Sequence, residues 1–191
     1  MLDTPALAQL LNRASVPAKQ LRAPAPDADA LGAAVAAALR APDHGGLQPW
    51  RFVAIEGAAK LAWAELLVES LRRREPDGPP EKLEVEREKR LRAPMVIAAG
   101  AAIRHGHKIP VWEQEASAAA GIMNFLNALD AMGFGAMWVS SPALADAVVK
   151  QALGFSPGDS LLGWIYVGTP EGERPRPARP GAGTFLRHWQ G

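Results

Sequence analysis

The segment VWEQEASAAAGIMNFLNALDAM, Val111 to Met132, constrains the fold more than any other part of the chain. It is the longest helix the sequence can form, and Gly133 supplies a left-handed residue to stop it. Inside it, Ala116 to Ala120 are five small residues in a row, followed by Gly121. Small side chains let another backbone come close. The helix's length and apolar content call for burial. The residues alone leave two coverings open: other elements of the same subunit, or a second copy at the centre of a dimer.

Around this helix the chain alternates helix and strand patterns. Helices are predicted over residues 5–13 and from Asp27, which can cap, to Arg40. Further helices are predicted over 58–75, over the charged run 81–92, and from Ser140 or Ser141 to Gly154. Strands are predicted over Trp50–Gly57, the apolar run PMVIAAGAAI from Pro94, FGAMWVS from Phe134, and Ser160–Pro170. That order, with about four strands and no internal repeat or linker, describes one α+β domain. The end of the chain, EGERPRPARPGAGTFLRHWQG, has too much Pro and Gly for a helix.

The 191 residues suffice for one domain with a sizeable core. The 21 basic and 20 acidic groups leave a net charge of +1, so no strong field draws the chain to nucleic acid or an anionic membrane. No apolar run reaches the roughly 18–20 residues of a membrane span. The start, MLDTPALAQLLNR, lacks the basic-then-apolar order of a secretory signal, so the expected location is the cytoplasm. With no cysteine there is no thiolate nucleophile, Cys-ligated metal or iron–sulfur cluster. Redox chemistry on this chain would need an organic cofactor.

Several catalytic constellations are missing. There is no Walker A motif, no HExxH and no G-x-S-x-G elbow. His105 and His107 share the segment RHGHK with Arg104 and Lys108, which would repel a cation, so no metal site is expected. Glu113 and Glu115 lie about 200° apart around a helix and do not face one another as an acid–base pair. The sign alternation in EKLEVEREKRLR reads as a solvated face with i,i+4 pairs.

Two stretches carry other chemistry. In NRAS, Arg13 and Ser15 combine a charged fork with a hydroxyl and could hold a phosphate. Taken alone, they read more simply as a helix-terminal Arg and a turn Ser. RAPDHGGLQPW, Arg40 to Trp50, sits between a helix and a strand, and its two glycines let backbone pass close to a ligand.

LLNRAS, RAPDHGGLQPWRFVAIEG, RAPMVIAAGA, HKIPVWEQEASAAAGIMNFLNALDAMGFGAMWVS and GWIYVGTP stand in one order from about Leu10 to Pro170. In that order the chain resembles the FMN-dependent nitroreductase family, in particular its small single-domain NAD(P)H nitroreductases. The resemblance implies a mostly antiparallel sheet flanked by helices, with a C-terminal strand that could be exchanged between subunits. It implies a homodimer with the long helix in its core and FMN at the subunit interface. Residues 1–170 would form the FMN-binding domain and 171–191 a tail packed on the partner. Arg13, Ala14 and Ser15 match the flavin-phosphate segment. Relatives often carry Arg where Ala14 stands, which leaves more of the phosphate charge to Arg13 or to a tail residue such as Arg187. Arg40 and His44 match contacts made across the interface, and Arg40 is a candidate to offset negative charge on reduced flavin. Trp138, Val139 and Ser140 match a third segment; at Val139 the contact would be through backbone. The RHGHKIPVW loop would shape the acceptor pocket.

By the same resemblance FMN carries the chemistry and no side chain is a catalytic residue. NAD(P)H would reduce the flavin, and a small-molecule acceptor such as a nitroaromatic or quinone would then be reduced in ping-pong order. Dehalogenation, flavin fragmentation, or FMN binding without turnover are the alternatives on this fold.

Overall fold

Strand β3, Met95–Ala101, is buried at all seven positions and is the axis of a single antiparallel sheet. The computed structural model describes residues 4–173 and 178–191. The other strands are β1 (Leu21–Arg22), β2 (Trp50–Glu56), β4 (Gly135–Val139) and β5 (Ser160–Pro170). β2 pairs along the full length of one edge of β3, from Trp50↔Ala101 to Glu56↔Met95. β5 pairs along the other. With eleven residues, β5 is long enough to take β4 and then β1 on its far edge.

Helices α1 (Pro5–Asn12), α2 (Ala28–Ala38), α3 (Ala59–Arg74), α4 (Pro80–Arg90), α5 (Val111–Ala131) and α6 (Ala147–Ala152) cover both faces. On one face Met95, Ile97, Ile165 and Val167 meet Ile122, Phe125 and Leu129 of α5. On the other, Val96, Ala98, Trp164 and Tyr166 meet Trp63 and Leu67 of α3. Covering on both sides is why β3 and the middle of β5 read as unbroken apolar runs rather than alternating ones. As expected, Asp27 caps α2, accepting from the Ala30 N–H at 2.9 Å, and Gly133 ends α5 with φ +90°.

Two expectations are corrected. The sheet has a fifth strand: β1 is only two residues long, lies in a proline-rich stretch and pairs with Thr169–Pro170, so no periodicity betrays it. The single helix predicted from Ser140 or Ser141 to Gly154 is two pieces, a 3-10 turn over Pro142–Ala145 and then α6. Asp146 causes the break. Its backbone is extended, and its carboxylate accepts from the N–H groups of Val148 (2.8 Å) and Val149 (3.4 Å) while pairing with Arg73 at 2.6 Å. A side chain with this many local donors begins a new helix rather than continuing an old one. Ser141 accepts from the Trp164 indole N–H at 3.0 Å instead of capping. The tail residues 178–191 contain one 3-10 turn, Ala182–Thr184, and are exposed; residues 1–3 of the N-terminal segment and 174–177 of the tail lie outside the described residues.

Burial works to raise the Asp146 pKa, but the hydrogen bonds and Arg73 prevail and hold it at about 2. Its contribution is therefore present above the ordinary value of 3.8 and is lost as pH falls toward about 2. Asp146→Ala should cost about 1–2 kcal/mol in urea unfolding near neutral pH, and the gap from wild type should narrow as pH falls through that window.

Candidate functional site

The loop between α2 and β2 is pinned at several points against the N-terminal half of α5. Asp43 accepts from the N–H groups of Leu47 (3.0 Å) and Gln48 (2.8 Å). Gly45 and Gly46 take φ values of +76° and +66°, and Gln48 has φ +52°, the one positive value at a non-glycine among the described residues. Such strain persists where surrounding contacts enforce it, and it clusters at binding sites. The Ser117 hydroxyl donates to the Pro42 carbonyl at 2.7 Å, and the Trp50 indole N–H donates to the Ser117 carbonyl at 2.9 Å. Gly121 lies under Trp50: a Cβ there would be 2.5 Å from the indole Cδ1. Ser117, Ala118 and Gly121 are thus small because this loop lies on them within the subunit. Trp112, Ala116 and Met123 on the same helix remain exposed.

Arg40 and His44 sit on this loop, both exposed. The His44 ring meets a carboxylate, with Nδ1 2.6 Å from Glu113 Oε2 on the first turn of α5. Beside them a cleft of about 550 Å³ is lined by Asp43, Gly46, Gln48, Trp50, Arg51 and Arg104.

The two other predicted segments meet each other. The Val16 N–H donates to the Ala136 carbonyl at 3.0 Å, which lays residues 13–16 alongside β4. Arg13 is half-buried, Ala14 buried and Ser15 exposed. Trp138 lies exposed on the α5 side of the sheet, its indole donating to the Leu162 carbonyl at 3.2 Å. Val139 packs partly into the opposite face, and Ser140 is exposed. No hydrogen bond or ion pair among the described residues joins 40–44 to 13–15 or to 138–140. The Gln9 amide, just before Arg13, donates to the Asn127 carbonyl at 2.9 Å, whereas His44 meets Glu113. Those anchors are about 21 Å apart along α5 at 1.5 Å per residue. One protomer therefore holds the two predicted groups of residues well apart along α5.

A second cleft, of about 490 Å³, adjoins the 13–16 segment between residues 17–19, the last turn of α4 and β4. Met137 and Val139 supply an apolar wall, and Tyr166 lies at its base. Arg90 is buried, donating through Nε to Glu86 at 2.9 Å and through a terminal nitrogen to the Tyr166 hydroxyl at 3.0 Å, with its guanidinium 5.9 Å from the centre of the Trp63 ring. Burial pushes the Tyr166 phenol above its usual value, against the pull of Arg90. Lys19, Lys89 and Arg92 line the same cleft, as does Glu86, and among the described residues no ion pair joins any of these three cations to a carboxylate. An anion with a flat apolar body fits that donor set.

Sequence reasoning missed this cleft. Part of α4 is the solvated, paired helix expected, as in Arg87 with Glu84 and Glu65. Its last turn is different: Arg90 faces inward and Lys89 borders the cleft. An unbroken run of charge hides which member turns in, so the pattern held no signal. Among the described residues, no group of three His, Asp or Glu side chains converges as a metal ion would require.

Comparison with known proteins bears on this arrangement. The family model described as "Nitroreductase family" matches residues 10–169. An Escherichia coli (strain K12) protein named "Putative NAD(P)H nitroreductase YdjA" is 36% identical over 166 residues, 87% of this chain and 88% of that protein. Among solved structures, a nitroreductase-like family protein from Bacillus cereus superposes with a TM-score of 0.79 at 18% identity, covering 100% of this chain and 99% of that one. A nitroreductase with bound FMN from Bacteroides fragilis gives 0.72 at 20% identity, covering 97% and 100%. At such identities the likeness to the solved structures is one of fold.

Gly121→Ala tests the loop's footing on α5. The indole is tethered and cannot swing aside, so the added methyl should cost about 1–3 kcal/mol, seen as a lower midpoint in thermal unfolding, with faster amide exchange across residues 42–50.

Proposed function

Because the chain belongs to the nitroreductase family, we propose that it is an FMN-dependent NAD(P)H oxidoreductase that works as a cytoplasmic homodimer. The observation that carries this reading is the cationic cleft beside β4, continuous with the segment that bears Arg13 and Ser15. When bound there, FMN would take a hydride from NAD(P)H and pass electrons to a nitroaromatic, quinone or similar acceptor in a ping-pong cycle.

The chain's residues would bind and orient. Arg13 and Ser15 hold the phosphate, with Ala14 contributing backbone. Met137 and Val139, which line the cleft, would offer an apolar surface to the ring system, and Trp138, Val139 and Ser140 would contribute backbone contacts. Lys19, Lys89 and Arg92 place positive charge where the ring gains electron density, the electrostatic task first considered for Arg40. Arg40 and His44 reach the cofactor from the partner subunit, which accounts for the separation of the two groups within one protomer. No acid–base side chain is required.

A second copy also answers the exposed apolar residues. Leu10, Leu11, Trp112, Met123 and Trp138 are each 37% or more exposed in the single chain, a larger apolar load than a monomer usually presents. Residues 178–191 of the tail would pack on the partner, where Phe185, Leu186 and Trp189 would find cover and Arg187 could approach the phosphate. NAD(P)H as electron donor accords with a cytoplasmic location.

Purified protein should be yellow and should oxidise NAD(P)H when given a nitroarene or a quinone, with intact FMN recovered after reoxidation. Colourless protein that takes up no added FMN would overturn the proposal; recovery of a cleaved flavin would point to fragmentation chemistry instead. Arg13→Ala should weaken FMN binding by roughly 10- to 100-fold, the worth of a charged phosphate contact, measured by fluorescence titration. Lys89→Ala, at an exposed position, should leave the fold intact while lowering the flavin midpoint potential.

A further inference from the structure

The His44–Glu113 contact stands out among the surface ion pairs because the backbone on both sides of it is immobilised. His44 lies in the loop tied down through Asp43, Pro42 and Trp50. Ile109 packs directly over Gly45, where even a Cβ would come within 2.3 Å of its Cδ1. Glu113 sits on a helical turn held from the other side: Gln114, buried, accepts from the Arg104 N–H at 2.9 Å and donates to the Ile109 carbonyl at 3.0 Å. With both backbones held, only the two side-chain rotamers remain to be ordered, so their 2.6 Å contact is better preorganised than one between two mobile segments.

We propose that Glu113 is a positioning residue, which keeps the His44 proton on Nδ1 and leaves Nε2 turned outward toward the flavin of the partner protomer. The direction assigned to Nε2 rests on the flavin reading above; the hydrogen bond does not. The carboxylate can only accept, so Nδ1 must donate. The bond made by one ring nitrogen decides the state of the other. Among the described residues Nε2 meets no hydrogen-bond partner, and the His44 side chain is 69% exposed, which leaves Nε2 open to a ligand. In the neutral ring it accepts, which suits the flavin N3–H or a ribityl hydroxyl. Without Glu113, an exposed imidazole carries its proton mainly on Nε2 and would present a donor in that place.

The chain has four histidines, so 15N-histidine labelling gives a spectrum simple enough to assign with His44→Gln. In FMN-free protein above pH 8, long-range 1H–15N correlation should show His44 protonated on Nδ1. Glu113→Ala should shift it to the Nε2-protonated pattern, and Glu113→Gln should keep the wild-type pattern, since the amide oxygen also accepts. FMN titration should find Glu113→Ala about fivefold weaker, His44→Ala weakened to a similar degree, and the double variant no weaker than either. Three results would each overturn the inference: an Nε2-protonated His44 in the wild type, an unchanged pattern in Glu113→Ala, or losses in FMN affinity that add. Should Glu113→Ala not fold, the wild-type spectrum and Glu113→Gln still decide it. Wild-type protein that takes up no FMN overturns the flavin reading and the direction assigned to Nε2, while the spectrum separately decides the tautomer.

Discussion

The contact on which the site's geometry depends is Trp50 lying on α5 where residue 121 has no side chain. Trp50 opens β2, so where its indole rests sets where the sheet begins and where the preceding loop can go. The indole N–H and the Ser117 hydroxyl then fasten both ends of that loop to one turn of the helix. Asp43 closes the loop on itself and forces Gln48 into a conformation non-glycine residues rarely adopt. A larger residue at 117, 118 or 121 would lift the whole arrangement off the helix. The small-residue run in α5 is therefore first of all a seat for this loop; its outer stripe is a separate surface.

Charge is distributed with a similar division of labour. On the outer faces of α3 and α4, acidic and basic residues pair with one another over solvent, and such pairs add little to stability. Arg90 is set apart from them. It is buried against Trp63, holds Glu86 and Tyr166, and underlies a cleft in which Lys19, Lys89 and Arg92 outnumber the one lining carboxylate, Glu86. These cations are exposed and stay hydrated, so they cost the fold little, and beside an apolar wall they are placed to bind an anion. The cleft and the strained loop belong to different parts of the protomer; in the proposed dimer, a second copy brings them together.

Most of the fold was legible in the sequence because its signals are local. The apolar runs from Pro94 and Ser160, the cap at Asp27 and the stop at Gly133 each depend on a few neighbouring residues. What escaped was decided by partners far along the chain. β1 exists because the end of β5 offers it an edge. The helix after β4 breaks at Asp146 because Arg73, on α3, completes that residue's contacts. Of the candidate site, NRAS, RAPDH and the residues that end β4, Trp138 to Ser140, were singled out by their resemblance to a family. Lys19, Lys89, Arg90 and Tyr166 could not, because three separate elements bring them to one cleft.

The sequence by itself determined an α+β fold without cysteine chemistry, a long helix with a small-residue face that had to be buried, and which three short stretches to suspect. These follow from composition, periodicity and motif order, which need no knowledge of what touches what. Only the tertiary structure decided which small residues seat the Trp50 loop, which of many alike charges turns inward, and that His44 answers to Glu113. Those outcomes depend on distances between residues remote in the chain, and such distances exist only once the sheet and its helices have packed.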